Sequence, residues 1–417
     1  MSRRVLMVAY FFPPLAGAGV QRTIKYVKYL PEHGWDPVVV TTASTSYPAR
    51  DPSLESDVPA QTPVLRAREV RAWRALTWIG ARLPVASLGQ TLTWPDGTGA
   101  WLPGAVAAAL RAVRRYRPSV LYSTSPTETA HLATLIVARL TGLPWVADFR
   151  DEWTTHPWRQ GAGPWLHALS ERAEQAVAVR ADGIVFAAPH YRLANAAATA
   201  RAITITNGVD PDDMAAVGDV LPVKDRFRIA FVGTLYGRLD IRPVTAAMAR
   251  LVSSGRLDPA CCEVRIVGNV WLDHRPDAGG VPVSEIGYVK HHRAVREMAE
   301  ASVLLLYAPS STRNIPGKVF EYLGTGRPVL CVTRRDNPAF ALVDEYPAGT
   351  CVAPDDAAGI ETALMELYES WRSGSLEGSP TGAAAALDRF SRKRLAGQLS
   401  RVLNDAVDHG ASAGNGR

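Results

Sequence analysis

The chain has 417 residues, of which 47% are hydrophobic and 21% charged, with a formal net charge of +6. That length exceeds what one hydrophobic core ordinarily serves, so two domains are expected, and the composition excludes a chain dominated by disorder. The positive excess sits in one half: residues 1–207 carry 22 Lys and Arg against 14 Asp and Glu, whereas residues 208–417 carry 24 against 26.

In chain order, the first half alternates short apolar runs with helical patterns. Residues 5–12 read as a strand. Arg3-Arg4 ahead of this run and Ala16-Gly17-Ala18 after it imitate a short signal peptide, but Pro13-Pro14 breaks the run, and a first strand with a glycine loop is the better reading. Residues 20–30 have apolar positions at helical spacing, and 37–42 form a second strand. Residues 45–103 are rich in Pro, Arg and Trp with weak periodicity. Strands follow at 120–122 and 145–149 with a helix at 129–140 between them, then at 184–187 and 203–206. The second half repeats the theme: a strand at 228–232 ending in Gly233, a helix at 243–251, a strand at 264–267 ending in Gly268, a helix at 294–299, a strand at 303–307, a helix at 318–323, and strands at 329–332 and 351–352. Residues 373–385 read as a loop before a last helix at 390–407, and the tail from 409 to 417 as disordered.

Such alternation predicts an α/β protein of two Rossmann-like, doubly wound domains. The expected boundaries are 1–207 for the first domain, 208–388 for the second, 389–408 for a helix crossing back to the first, and 409–417 for the tail. Ligands of such sheets bind at the carboxyl ends of the strands, so a cleft between the two domains is the expected site.

The richest segment is residues 316–330. Gly317 opens a helix, Lys318 follows, Val319 continues the first turn, and Glu321 lies one turn in. A helix N-terminus with a lysine beside it suits a phosphate, and Glu321 is placed for a sugar hydroxyl pair. Gly17 and Gly19 open another loop at a helix start, although the full dinucleotide spacing is missing. Gly233 and Thr234 would line the opposite wall, with Arg238 or Arg242 reaching a diphosphate. Asp148, Arg150, Asp151 and Glu152 directly follow an apolar strand. A carboxylate there could accept a proton from an attacking hydroxyl, or the group could be an ion-pair cluster capping the next helix. His131 follows a Ser/Thr-rich strand end and is either structural or part of a binding site, while His291-His292 read as surface residues without an acidic partner. Cys261, Cys262, Cys331 and Cys351 lack CxxC spacing and read as reduced packing residues; no metal site is expected.

Taken together, FPP followed by GAGVQR, STSP followed by His131, DFRDEW, the strand–glycine turn at 233 and IPGKVFEYLGTGRPVL resemble the GT-B glycosyltransferases. The chain is most similar to the retaining family 4, in a variant typical of bacterial polysaccharide and natural-product assembly. The resemblance spans about residues 4–405. It implies that Gly17 and Gly19 lie against the donor diphosphate and transferred sugar, that Arg238 and Lys318 neutralise the diphosphate, that Glu321 holds the ribose, and that Tyr288 and Val289 flank the base. The earlier glutamate of the family's pair falls at Arg313, which would meet phosphate or an acidic sugar instead. Arg150 stands at or near the place of the usual first-domain histidine, with Asp148 or Asp151 in its stead.

The activity implied is sugar transfer from a nucleotide-sugar to an acceptor hydroxyl, by a hexosyltransferase acting with retention and without metal. No cofactor is implied beyond the donor itself, with a UDP-sugar favoured over a GDP- or dTDP-sugar. The acceptor would be a sugar, a lipid-linked glycan or a small-molecule aglycone. Trp73, Trp78, Trp94 and Trp101 with neighbouring arginines could seat a lipid-linked acceptor at the membrane surface, stack a soluble aglycone or simply pack. The basic first half could face an anionic membrane or an acidic acceptor, or be a solvated arginine-rich surface. A cytoplasmic location, with or without contact at the inner face of the membrane, fits, and no nucleic-acid partner is expected. The same residues would also serve a nucleotide-sugar epimerase of this fold or a non-catalytic sugar-nucleotide-binding scaffold.

Overall fold

The computed structural model describes residues 2–44, 50–70, 94–155, 163–237, 239–309 and 313–414. The chain divides into two units, Met1–Thr206 with Arg392–Arg417, and Asn207–Ser391.

The first unit is built on β1 (Arg3–Val8), α1 (Ala18–Tyr29), β2 (Trp35–Thr42), β3 (Val64–Ala67), α2 (Leu102–Tyr116), β4 (Val120–Thr124), α3 (Glu128–Thr141), β5 (Trp145–Phe149), α4 (Pro164–Arg180), β6 (Gly183–Phe186), α5 (Ala196–Ala200) and β7 (Ile203–Thr204). Its seven strands pair in parallel in the order β3-β2-β1-β4-β5-β6-β7. Every residue of β4 and β5 is buried, as expected of central strands covered on both faces. The order reverses between β1 and β4, which makes the carboxyl ends of these two strands the topological switch point.

The second unit contains α6 (Pro211–Ala215), β8 (Phe227–Val232), β9 (Leu235–Tyr236), α7 (Arg242–Ser253), β10 (Cys262–Val267), β11 (Val270–Trp271), β12 (Val283–Gly287), α8 (His291–Glu300), β13 (Val303–Ala308), α9 (Lys318–Thr325), β14 (Val329–Thr333), α10 (Pro338–Asp344), β15 (Gly349–Val352), α11 (Ala357–Arg372) and α12 (Pro380–Phe390). Its six-stranded sheet runs β12-β10-β8-β13-β14-β15, again all parallel, with the switch point between β8 and β13. β9 and β11 form a separate two-residue pair just past the ends of β8 and β10.

A last helix, α13 (Arg392–Gly414), belongs to the first unit. Leu395, Leu399, Val402, Leu403 and Ala406 recur at helical spacing and join the core formed by Val5, Ile24, Trp35 and Val146. The packing is tight at Gly183, where an added Cβ would meet Val402 at 3.0 Å, and at Gly397, where one would meet His33 at 2.9 Å.

Several elements differ from the sequence reading. β1 ends at Val8 rather than at 12, because the backbone leaves the sheet before Pro13-Pro14. Helix α2 buries Ala105, Ala108, Ala109 and Ala112, and α12 is also alanine-rich. Alanine stripes give a weak hydrophobic signal, so both helices escape a periodicity search. α12 begins at Pro380, inside the expected loop, with Gly382 N donating to the Ser379 hydroxyl as its cap. α13 continues to Gly414, where disorder from 409 was expected. Trp101 is fully buried edge-on to Tyr10, and the Trp94 indole N–H donates to Ser170 Oγ, so these two tryptophans pack within the unit. Trp73 and Trp78 lie outside the described residues. Among the described residues no helix is long and apolar enough to cross a membrane.

Candidate functional site

In the second unit, the carboxyl ends of β8, β10 and β12 converge on three glycines with positive φ: Gly233 at 136°, Gly268 at 141° and Gly287 at 75°. A Cβ on Gly268 would stand 2.1 Å from the Gly233 carbonyl oxygen, so the two strand ends touch backbone to backbone. Facing this corner is the start of α9. Gly317 is its N-cap, and no side chain caps the helix. Val319 N donates to the Pro316 carbonyl at 3.0 Å and Phe320 N to the Gly317 carbonyl at 3.3 Å, so backbone carbonyls close the first turn, with the positive end of the helix dipole at the Lys318 end. Tyr322 locks the helix to the sheet by accepting a 2.9 Å hydrogen bond from Val232 N. The Lys318 ammonium lies 3.5 Å from the centre of the Phe231 ring, and an added Cβ at Gly233 would stand 3.3 Å from it. Burial pushes the Lys318 ammonium down to about 7, and the nearby Glu321 carboxylate only partly opposes this.

Five donor residues expected from sequence, Gly233, Thr234, Gly317, Lys318 and Val319, therefore share one corner, with Glu321 one turn further along α9. Tyr288 is 42% exposed just past β12, beside half-buried Val289. Arg313 is exposed, and Arg238 lies outside the described residues. Arg242 is turned to Asp240, which accepts from its backbone N at 3.0 Å and from its guanidinium. Sequence reasoning missed three contributors. Asn207 places its amide nitrogen 3.8 Å from where a Gly317 Cβ would sit. Its carbonyl oxygen is buried without a hydrogen bond. Tyr236 and Trp271, paired in register on β9 and β11, are 52% and 64% exposed and offer aromatic faces at the rim. The Asn-Gly turn signal marked Asn207 only as a boundary.

In the first unit, Asp148 at the end of β5 is fully buried. Its carboxylate accepts from Arg22 Nε at 2.7 Å and Nη2 at 2.9 Å, from Thr124 Oγ1 at 3.1 Å, and from the Tyr122 hydroxyl. Arg22, itself fully buried on α1, also donates to the Thr206 carbonyl at 2.7 Å. Burial alone would raise the Asp148 pKa, but the Arg22 charge and these hydrogen bonds hold it below the usual carboxylate value. A carboxylate so engaged is an anchor for Arg22, and this corrects the expectation that it could act as a base. Glu152 is likewise occupied, accepting from Arg192 N at 2.9 Å. Asp151 alone among the three carboxylates is half-exposed. Arg150 is buried and donates through Nη1 to the Gly19 carbonyl, which ties the end of β5 to the loop of Gly17 and Gly19 at the start of α1. Its own backbone N donates to Ser125 Oγ at 3.0 Å, and its carbonyl accepts from Tyr191 at 2.9 Å. Gly17, at φ 98°, is exposed at the N-cap of α1, which also lacks a side-chain cap.

His131 is fully buried, its ring 4.5 Å from that of Phe149. Ser123 Oγ accepts from the Trp145 indole N–H at 2.9 Å and lies 2.8 Å from His131 Nδ1. His131 Nε2 is buried without a hydrogen-bond partner. Burial pushes its pKa down to about 4, against the pull of Asp148, so the imidazole is neutral near pH 7. His131 is a packed core residue, and the binding role weighed for it does not fit this burial. His291, expected at the surface without an acidic partner, instead lies 2.9 Å from Asp213. The four cysteines are free, and among the described residues no three His, Cys, Asp or Glu side chains gather as a metal site.

Residues 226–370 match the family model described as Glycosyl transferases group 1. That segment holds the whole glycine corner and α9. No curated protein sequence matches the chain significantly. Among solved structures, the fold is similar to sucrose-phosphate synthase from Thermosynechococcus elongatus, with a TM-score of 0.67 and 14% identity over 96% of this chain and 98% of that one. It is similar to Anabaena HepE in complex with UDP, at 0.63 and 15% over 96% and 99%. A glycosyltransferase from Rickettsia africae matches at 0.62 and 11% over 97% and 99%. At these identities the likeness is one of fold.

Proposed function

We propose that the protein is a glycosyltransferase that takes a sugar from a nucleotide-sugar and passes it to an acceptor hydroxyl. The observation that carries this reading is the corner formed by Gly233, Gly268 and the start of α9, which no side chain caps, with Lys318 beside it, inside the segment matched by the Glycosyl transferases group 1 model. Backbone N–H groups, a helix dipole and a lysine are what a diphosphate leaving group needs as its charge develops. Glu321 takes the ribose hydroxyls, and Tyr288 with Val289 flanks the base. We assign the donor to the UDP-sugars, a choice supported by HepE having been crystallised with UDP and with UDP-glucose. Retention, a hexosyl donor, independence from metal and membership of the retaining family 4 are parts of the same proposal. So are a cytoplasmic location and an acceptor that is a sugar, a lipid-linked glycan or an aglycone.

In the first unit, the half-exposed Asp151 is our candidate for the acceptor's proton, and Arg150 sets the glycine loop. The test is incubation of the purified chain with a panel of nucleotide-sugars and a library of glycan and aglycone acceptors, read by mass spectrometry. A glycosylated acceptor with equimolar nucleoside diphosphate supports the proposal. An acceptor-independent change of the sugar would replace it with an epimerase.

A further inference from the structure

A cavity lies in the second unit, at the opposite end of α9 from the glycine corner. It has a volume of about 340 Å³ and lies among α6, the segment after it, the C-terminal end of α9 and α12. Its walls are apolar: Met214, Val217, Val220, Ala299 and Leu387. One charged side chain lines it, Arg327. Arg327 donates from Nη2 to the Val220 carbonyl at 2.8 Å, and its Nε–H is buried without an acceptor. Among the described residues no carboxylate pairs with this guanidinium, which follows the C-cap Gly326 of α9. The helix end supplies only a partial negative charge, short of a full counter-ion.

Arg327 is half-buried at this wall with no carboxylate paired to it among the described residues, and arginine is the side chain best shaped to receive a carboxylate. The volume lies in the range of small-molecule sites, which typically combine apolar walls with a few polar groups that fix the ligand's orientation. We propose that this cavity is a ligand site for a small amphipathic carboxylate, its head on Arg327 and its apolar body against Met214, Val217 and Leu387. The cavity is bordered by the segment after the chain enters the second unit at Asn207 and by α12 just before it leaves at Ser391. A ligand there would brace both of these chain segments.

The test is calorimetric titration of the full chain with octanoate, with octanol as the uncharged control. Octanoate should bind saturably at one site. Arg327→Met should weaken it at least tenfold while leaving octanol binding unchanged. Ala215→Trp, placed at an exposed position of the rim, should block octanoate without disturbing the core. UDP affinity, measured in parallel, reports that the variants are folded and is independent of this proposal. Absence of saturable octanoate binding to the unaltered chain would overturn the proposal. Undiminished binding to Arg327→Met or to Ala215→Trp would do the same.

Discussion

Replacing Asp148 by Asn separates an anchor from a base. The side chain keeps its shape but loses its charge, and its NH2 is turned toward donors that need an acceptor. Arg22, fully buried, would then hold an unpaired guanidinium. Breaking one side of a buried ion pair costs roughly 3–5 kcal/mol. For a unit of this size each kcal/mol shifts the midpoint by about 2–4 °C, so the melting temperature of the first unit should fall by roughly 6–20 °C. Replacing the pair together, Arg22→Met with Asp148→Leu, should recover much of that loss, because neither charge is then stranded. The pH dependence has a definite sign. The folded pKa of Asp148 lies below its unfolded value of about 3.9, so its contribution is fully present above that value. It is lost as the pH falls through the folded pKa, and Asp148→Asn should flatten this part of the acid limb. The assay is calorimetric melting from pH 3 to 7 alongside turnover. Unchanged melting with abolished turnover would refute the anchor and return Asp148 to the chemistry.

Three further outcomes follow from the second unit. Lys318, with its pKa near 7, should bind a diphosphate best when protonated, so UDP affinity should decline as the pH rises from 6.5 to 8.5, by at most about tenfold per pH unit; Lys318→Met should remove this dependence, and a flat wild-type profile would count against the contact. Glu321→Gln should raise the donor dissociation constant by about 1.5–3 kcal/mol, the worth of a charge-assisted hydrogen bond, measurable by titration; an unaltered constant would take Glu321 off the ribose. Gly268→Ala should destabilise the second unit by about 1–3 kcal/mol through backbone strain alone, with a clash against Gly233 in addition; a melting temperature equal to that of the unaltered chain would show that the strand ends do not touch.

What was legible in the sequence was local. A glycine at a helix start, a lysine next to it and a carboxylate one turn on lie within five residues, and chain order alone puts them on one helix end. Gly233 and Gly268 could be read as strand ends for the same reason. Their contact could not, since it depends on two loops meeting. Asp148 failed for a related cause. Asp148-Phe149-Arg150-Asp151 looks the same whether its first carboxylate faces a substrate or Arg22, and that arginine stands 126 residues earlier. His131 misled because its partners, Ser123 and Phe149, come from two strands on either side of its helix. Helices α2 and α12 were hidden by alanine, whose small side chain packs closely yet barely marks a hydrophobic face.

The central claim is a nucleoside diphosphate site at the start of α9. It is tested most directly by isothermal titration of the chain with UDP, GDP and dTDP in the presence and absence of EDTA, repeated on Lys318→Met. The account predicts one site that prefers UDP, survives EDTA and weakens at least tenfold without the lysine. No binding of any nucleoside diphosphate, or binding indifferent to Lys318, would contradict it.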